Sequence, residues 1–243
     1  MTKQSALLRL SQALSRPRLA LLMVASLGLL LRILYAAAIY EPSLLAYGLD
    51  DYILYRVGAE LIAGGDLSFS HDLFLLRPPL FPLMVAALQL NDFAVIAANI
   101  LLGTSVIPLT YMLARMMRLS PQWSLLPTFL VALDPTSIKH AGVLAAEPLA
   151  NALLASAFVC LLATRTAQQG KMAILWGWLA GGCLILSAFA RPAAYMLWLP
   201  MGLWLLVTIR RGGGGGVFAR LPPGPRCPRA PVRRRVRGRL RGR

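Results

Sequence analysis

Long apolar runs, interrupted at regular intervals by short charged points, organise this chain. A bilayer crossing takes about 20 predominantly apolar residues. Runs of roughly that length cover 19–40, 93–114, 122–138, 147–164, 172–190 and 192–209, which predicts an all-α, polytopic bundle of about six spans. A seventh run, Leu80–Leu90, has only about 11 residues and is too short to cross. It is expected to form a half-helix or an interfacial helix. Between the first run and Leu80 the pattern changes period: Ile53, Leu54, Val57, Gly58, Leu61 and Ile62 recur at i, i+3/i+4 spacing. That spacing predicts an amphipathic helix with Asp50 and Asp51 at its start and Gly64-Gly65 at its stop. Arg56 and Glu60 form an i,i+4 pair on its polar face.

The charged points orient the runs. Lys3, Arg9, Arg16 and Arg18 precede the first run, and Arg115 with Arg118, Arg165 with Lys171, and Arg210 with Arg211 mark three further basic points. By the positive-inside rule these four points are cytoplasmic, so two crossings separate each from the next. The expected plan is then a basic cytoplasmic N-terminus over 1–18 and a transmembrane region over 19–211. The loop 41–78 lies on the outer face, with further outer turns near 134–147 and at Arg191. The first run is full membrane length and lacks a small-residue cleavage site, so it reads as a retained span rather than a signal peptide.

Composition adds two facts. The chain has 243 residues, is 58% hydrophobic and carries a formal charge of +16. Ten of its arginines lie in 212–243, where there is no acid, so the remainder carries 16 − 10 = +6. This tail begins with five glycines and continues as a Gly/Arg/Pro-rich stretch without apolar periodicity, a composition that cannot bury a core and is expected to be disordered. Arginine-rich tails bind RNA or anionic lipid. Out-of-frame translation of a GC-rich gene is the favoured account of the tail, and no nucleic-acid partner is expected. Three cysteines, Cys160, Cys183 and Cys227, imply no disulfide framework.

The acids are the second fact. Six of nine fall between Glu41 and Asp72. The adjacent carboxylates Asp50 and Asp51 suit general-base chemistry, because one raises the pKa of the other toward neutrality. They equally suit capping of the helix they precede. Arg77, before Pro78-Pro79, presents a fork that matches phosphate oxygens, or it snorkels to lipid head groups. Glu147-Pro148 and Asp134-Pro135 mark helix ends at an expected outer turn, where either acid could also assist a substrate. Arg191-Pro192 offers a second phosphate contact or an interface anchor. His71 and His140 assemble no metal-ligand set.

The ordered segments GLDDYILYRVGAELIAGGDL, LLRPPLFPLMVAAL, NILLGTSVIPLTYMLARMM, ALDPTSIKHAGVLAAEPLANALL and AFARPAAY resemble the N-terminal half of the GT-C type, polyprenyl-phosphate-sugar-dependent glycosyltransferases. Within them, the protein O-mannosyltransferase and aminoarabinose-transferase-like superfamily is the nearest match. The resemblance covers about residues 15–210. It implies a bacterial inner-membrane enzyme that moves a sugar from a polyprenyl phosphate to a lipid, glycan or protein hydroxyl on the outer face. In the family an acid in the first outer loop is the base region, matching Asp50 and Asp51, and a basic residue precedes the Pro-Pro, matching Arg77. Asp-Asp departs from the usual Asp-Glu or single Asp, and Ala146 replaces the usual hydroxyl residue before Glu147. Some relatives use a divalent metal; the pattern here resembles the metal-independent branch, so no cofactor is expected. Family members continue for several more spans, so a chain that leaves the pattern after the sixth run is expected to be the front half of an enzyme and to lack activity alone. Two other readings stand beside this one: a transporter or flippase, for which Arg32 inside the first run is the main candidate charge, and a non-catalytic membrane scaffold.

Overall fold

The computed structural model describes residues 17–39, 50–69, 71–166, 171–197 and 203. The tail 212–243, the basic segment before Pro17 and most of the run 192–209 lie outside the described residues. Among the described residues the structure is entirely helical: α1 (Pro17–Ile39), α2 (Asp50–Ala63), α3 (Leu73–Leu76), α4 (Leu80–Ala87), α5 (Asp92–Met116), α6 (Pro121–Leu133), α7 (Pro135–Ala141), α8 (Glu147–Thr166), α9 (Lys171–Ala190), and a 3-10 turn at Pro192–Leu197.

Four of these helices, α1, α5, α8 and α9, are long and apolar enough to cross a membrane. Their outward faces carry large apolar side chains with nothing over them, among them Leu22, Leu34, Phe93, Leu101, Ile174 and Trp178. Helices that are apolar all round belong in hydrocarbon, so the fold is that of a membrane protein. The inward faces are small. On α1 the buried residues Gly28, Arg32 and Ala36 recur every four positions; α8, which packs on α9, buries Ala150 and Ala157, and α9 buries Ala180 and Ala188. Lipid tails are as apolar as Leu, so close backbone approach through small residues is what favours such contacts.

The predicted single span 122–138 is broken in two. Asp134 adopts an extended backbone (φ −60°, ψ 114°), ends α6 and caps α7. The residue before a proline is driven out of the helical region, and Pro135 supplies no N–H to continue the ladder. The Asp134 carboxylate accepts hydrogen bonds from Thr136 N at 3.4 Å and Ser137 N at 2.9 Å. The path is a bent one. Ala132 O, at the end of α6, faces Arg32 of α1, and Gly142, just past α7, packs on Tyr35 and Ala36.

Leu80–Leu90 is the short helix expected of it, eight residues long as α4. Arg77 before the proline pair is extended (φ −126°, ψ 94°) and closes α3. The amphipathic helix α2 runs from Asp50 to Ala63 and stops at Gly64-Gly65. Asp66 N donates to Leu61 O and Gly65, at φ 92°, donates to Ile62 O, the hydrogen-bond pattern of a glycine-terminated helix. Its buried face differs from the one predicted. Tyr52, Tyr55, Ala59 and Ile62 are buried, whereas Ile53 and Val57 are exposed. Gly58 and Ile62 of the apolar stripe are buried, and the buried face is rotated toward Tyr52 and Tyr55, which join Phe81 and Val85 of α4 in the core. Gly58 allows the close approach: a Cβ there would lie 3.3 Å from Phe74 and 3.4 Å from Pro82.

Candidate functional site

The C-terminal end of α1 and the starts of α5 and α8 meet α2 and α4 in one core of Ala36, Tyr52, Tyr55, Phe81, Val95, Ile96, Leu144 and Ala146. Polar side chains tie α2 to it. Arg56 donates to Asp92 at 2.7 Å, to Leu90 O at 2.7 Å and to Glu60 at 3.1 Å. The Tyr52 hydroxyl donates to the same Asp92 carboxylate at 3.0 Å. Two elements 36 residues apart are thus joined by one carboxylate, and the i,i+4 pair expected from the sequence is only half of the cluster.

Tyr55 is the centre of the site. Its ring is buried and stands edge-on to Phe81, with centroids 4.9 Å apart. The Arg77 guanidinium lies over the Tyr55 ring, 5.8 Å from the centroid, within cation–π range. Burial raises the Tyr55 hydroxyl to about 12, with the Glu147 carboxylate adding to the rise and Arg191 opposing it. Glu147 and Arg191 pair at 3.2 Å, with side-chain exposures of 17% and 45%.

Helix ends explain that pair. Glu147 opens α8, and Arg191 follows the last residue of α9. An acid at an N-terminus and a base at a C-terminus each meet a favourable backbone partial charge. Antiparallel packing of the two helices brings these ends together. The Ser187 hydroxyl of α9 donates to Ala150 O of α8 at 3.0 Å and fixes their register one turn from the charges. The turn before Glu147 is fixed from α5: the fully buried Asn99 donates to Val143 O at 2.9 Å and to Ala145 O at 3.0 Å.

Of the residues singled out in the sequence, Arg77 lies over the ring of one buried tyrosine, and the paired charges of Glu147 and Arg191 act on its hydroxyl in opposite senses. Asp50 and Asp51 form the first two backbone positions of α2, about one helical turn (~6 Å) before Tyr55; their side chains lie outside the described residues. Asp134 does not join the group. It caps α7 and supplies the charge opposed to Arg32. Tyr55 and Asn99 went unnoticed in the sequence. A tyrosine four positions after Asp51 was the available signal for the first, and nothing local marks the second.

Chemically, one guanidinium ion lies over an aromatic ring of the helix that begins with two acids, and a Glu–Arg pair acts on that ring's hydroxyl through its charges. A guanidinium presents a planar fork that matches the oxygens of a phosphate-sized anion. Among the described residues no set of three metal-ligating side chains comes together. Elsewhere, Asp66 accepts from the Ser68 hydroxyl at 2.7 Å, from Ser68 N at 3.0 Å and pairs with His71 at 3.0 Å, a local turn at the surface. The Ser68 hydrogen bonds hold the Asp66 carboxyl below the usual range. No known protein family, curated protein or solved structure matches this chain.

Proposed function

We propose that this chain belongs to a membrane glycosyltransferase that moves a sugar from a polyprenyl phosphate to an acceptor hydroxyl on the extracytoplasmic side of a bacterial inner membrane. In this reading the N-terminus is cytoplasmic. The helices α6 and α7 make one bent crossing, and the run 192–209 makes a sixth. The observation that carries it is the convergence of Arg77, Glu147 and Arg191 on Tyr55, beside the helix that begins with Asp50-Asp51.

The division of labour follows from charge. Arg77 and Arg191 would hold the donor phosphate and offset the charge that builds on it as the bond to the sugar C1 breaks. Asp50 or Asp51 would take the proton of the acceptor hydroxyl as its oxygen bonds to C1. The bonding pair of the cleaved C1–O bond leaves with the polyprenyl phosphate, so the products are a glycoside and a lipid phosphate. Glu147 would orient Arg191.

Transfer of radiolabelled sugar from a polyprenyl-phosphate donor, compared in Asp50→Asn, Asp51→Asn and the double variant, tests this. Loss in one single variant and in the double variant supports it. Full activity in all three removes the base assignment. A second reading, a lipid-linked transporter, draws on the burial of Arg32 inside α1. It predicts movement of an unmodified substrate across proteoliposome membranes with no covalent product, and one experiment with labelled donor separates the two.

A further inference from the structure

Arg32 is the largest fully buried side chain among the described residues, at 0% exposure. A buried guanidinium is tolerated only when its donors are satisfied and its charge is opposed. It has five N–H donors. One amino group donates to Gly28 O at 2.9 Å and to Ala132 O at 3.4 Å, and the other donates to Ser137 Oγ at 2.7 Å. Asp134 supplies the opposing charge. The Nε–H has no protein partner among the described residues. Leaving such a donor dry would cost about 1–3 kcal/mol or more, since the group is charged.

Beside it lies a cavity of about 20 Å³, lined by Gly103, Val106, Ser137, His140, Pro148 and Asn151. Two of these residues connect it to Arg32. Ser137 is the acceptor of one Arg32 hydrogen bond. Gly103 has no side chain to separate the two: a Cβ there would lie 3.3 Å from Arg32 Nε and 3.4 Å from Ala141. The cavity exceeds the roughly 10–15 Å³ that one water needs, and Ser137, His140 and Asn151 supply polar partners of the number such a water uses. Asn151 is exposed and gives the cavity its open side.

We propose that this cavity is a water site, and that its water accepts the Arg32 Nε–H past Gly103 while bonding to Ser137 or His140. Arg32 then has a partner for every nitrogen and stays charged inside α1 without a second acid. Gly103 is the residue that keeps the route open. The site is separate from the group around Tyr55 and does not depend on what that group binds.

The experiment is water-edited solid-state NMR on the full chain in lipid bilayers, with arginine labelled at ¹⁵Nε. The Arg32 signal is assigned by its loss in Arg32→Lys. Fast polarisation transfer from water to Arg32 Nε, despite its burial, is the expected result. In Gly103→Ala the build-up should slow several-fold while the arginine signals at the surface stay unchanged. A dry Arg32 Nε in the unmutated chain overturns the proposal, whatever the variant does. Unchanged transfer in a folded Gly103→Ala removes the route past Gly103. A cryo-electron microscopy map in nanodiscs supplies the second measurement: a water-sized peak in the cavity supports the site, and an empty or hydrocarbon-filled cavity overturns it.

Discussion

Replacing Asn99 tests how the turn that carries Glu147 is held. The Asn99 amide nitrogen donates to Val143 O and Ala145 O, while its own oxygen is buried without a partner among the described residues. Asn99→Ala removes two hydrogen bonds, worth about 0.5–1.5 kcal/mol each, or about 0.6 kcal/mol each on the scale measured between membrane helices. It also removes the unpaired oxygen, which returns roughly 1 kcal/mol of the burial cost. The expected net loss is about 1 kcal/mol on the first scale and about 0.2 kcal/mol on the second, with the small cavity adding to either. Asn99→Asp separates the hydrogen bonds from the volume. It has the same shape, but an ionised carboxylate cannot donate and would face two carbonyl oxygens. Its loss should exceed that of the alanine variant by about 2 kcal/mol or more, because a buried charge is left without a partner. Reversible unfolding in mixed micelles of increasing SDS fraction measures both. An aspartate variant as stable as the alanine variant, or more stable, would refute the assignment of the two carbonyls to Asn99. So would an alanine variant indistinguishable from the parent.

Three further outcomes follow from particular contacts. Because the folded Tyr55 hydroxyl is raised to about 12 from an ordinary value of 10, the folded chain holds this proton more tightly than the unfolded chain. Its contribution, of order 2–3 kcal/mol, is fully present below pH 10 and lost as pH rises toward about 12; Tyr55→Phe should abolish that alkaline dependence in pH-resolved unfolding. Gly142→Ala should destabilise by about 1–3 kcal/mol through overpacking, since its Cβ would lie 2.8 Å from the Tyr35 ring and 3.3 Å from Ala36 Cα. Gly177→Ala, inside α9 with nothing within 4 Å, should instead stabilise by about 0.5–1 kcal/mol, and thermal unfolding checks the contrast. A double-mutant cycle on Glu147→Gln and Arg191→Met should give a coupling of only about 0.2–1 kcal/mol, because Arg191 is half-exposed. A coupling of several kcal/mol would mean that the pair is far more desolvated than its exposure indicates.

The helices were legible in the sequence where a single local rule decides them. Apolar length marked α1, α5, α8 and α9, the Gly64-Gly65 pair marked the end of α2, and the shortness of Leu80–Leu90 marked α4 as a helix that stops early. Misreadings arose where a neighbour decides. Asp134-Pro135 does end the helix before it, but the apolar run 122–138 extends past the break because Pro135 starts a second helix that Asp134 caps. The apolar stripe Ile53, Leu54, Val57, Gly58, Leu61 and Ile62 catches Gly58 and Ile62 of the buried face but leaves Ile53 and Val57 exposed, because nothing in a single helix says that Phe81 meets Tyr55. The site divides the same way. Arg77, Glu147 and Arg191 stood out as charges at helix ends, but their common neighbour Tyr55 emerges only from packing. Asp134 looked equivalent to Glu147 in sequence, since each acid precedes a proline, and the fold gives them different partners.

The shortness of α6 reaches beyond the protein. Thirteen residues make a rod of about 20 Å, against a hydrocarbon layer of about 30 Å. In the proposed crossing the seven residues of α7 add to that length only around a bend, so the lipid beside α6 is drawn inward. Trp123, exposed near the start of α6, is the kind of side chain that settles at the lowered interface. The bilayer would then be thinnest along the flank of α6.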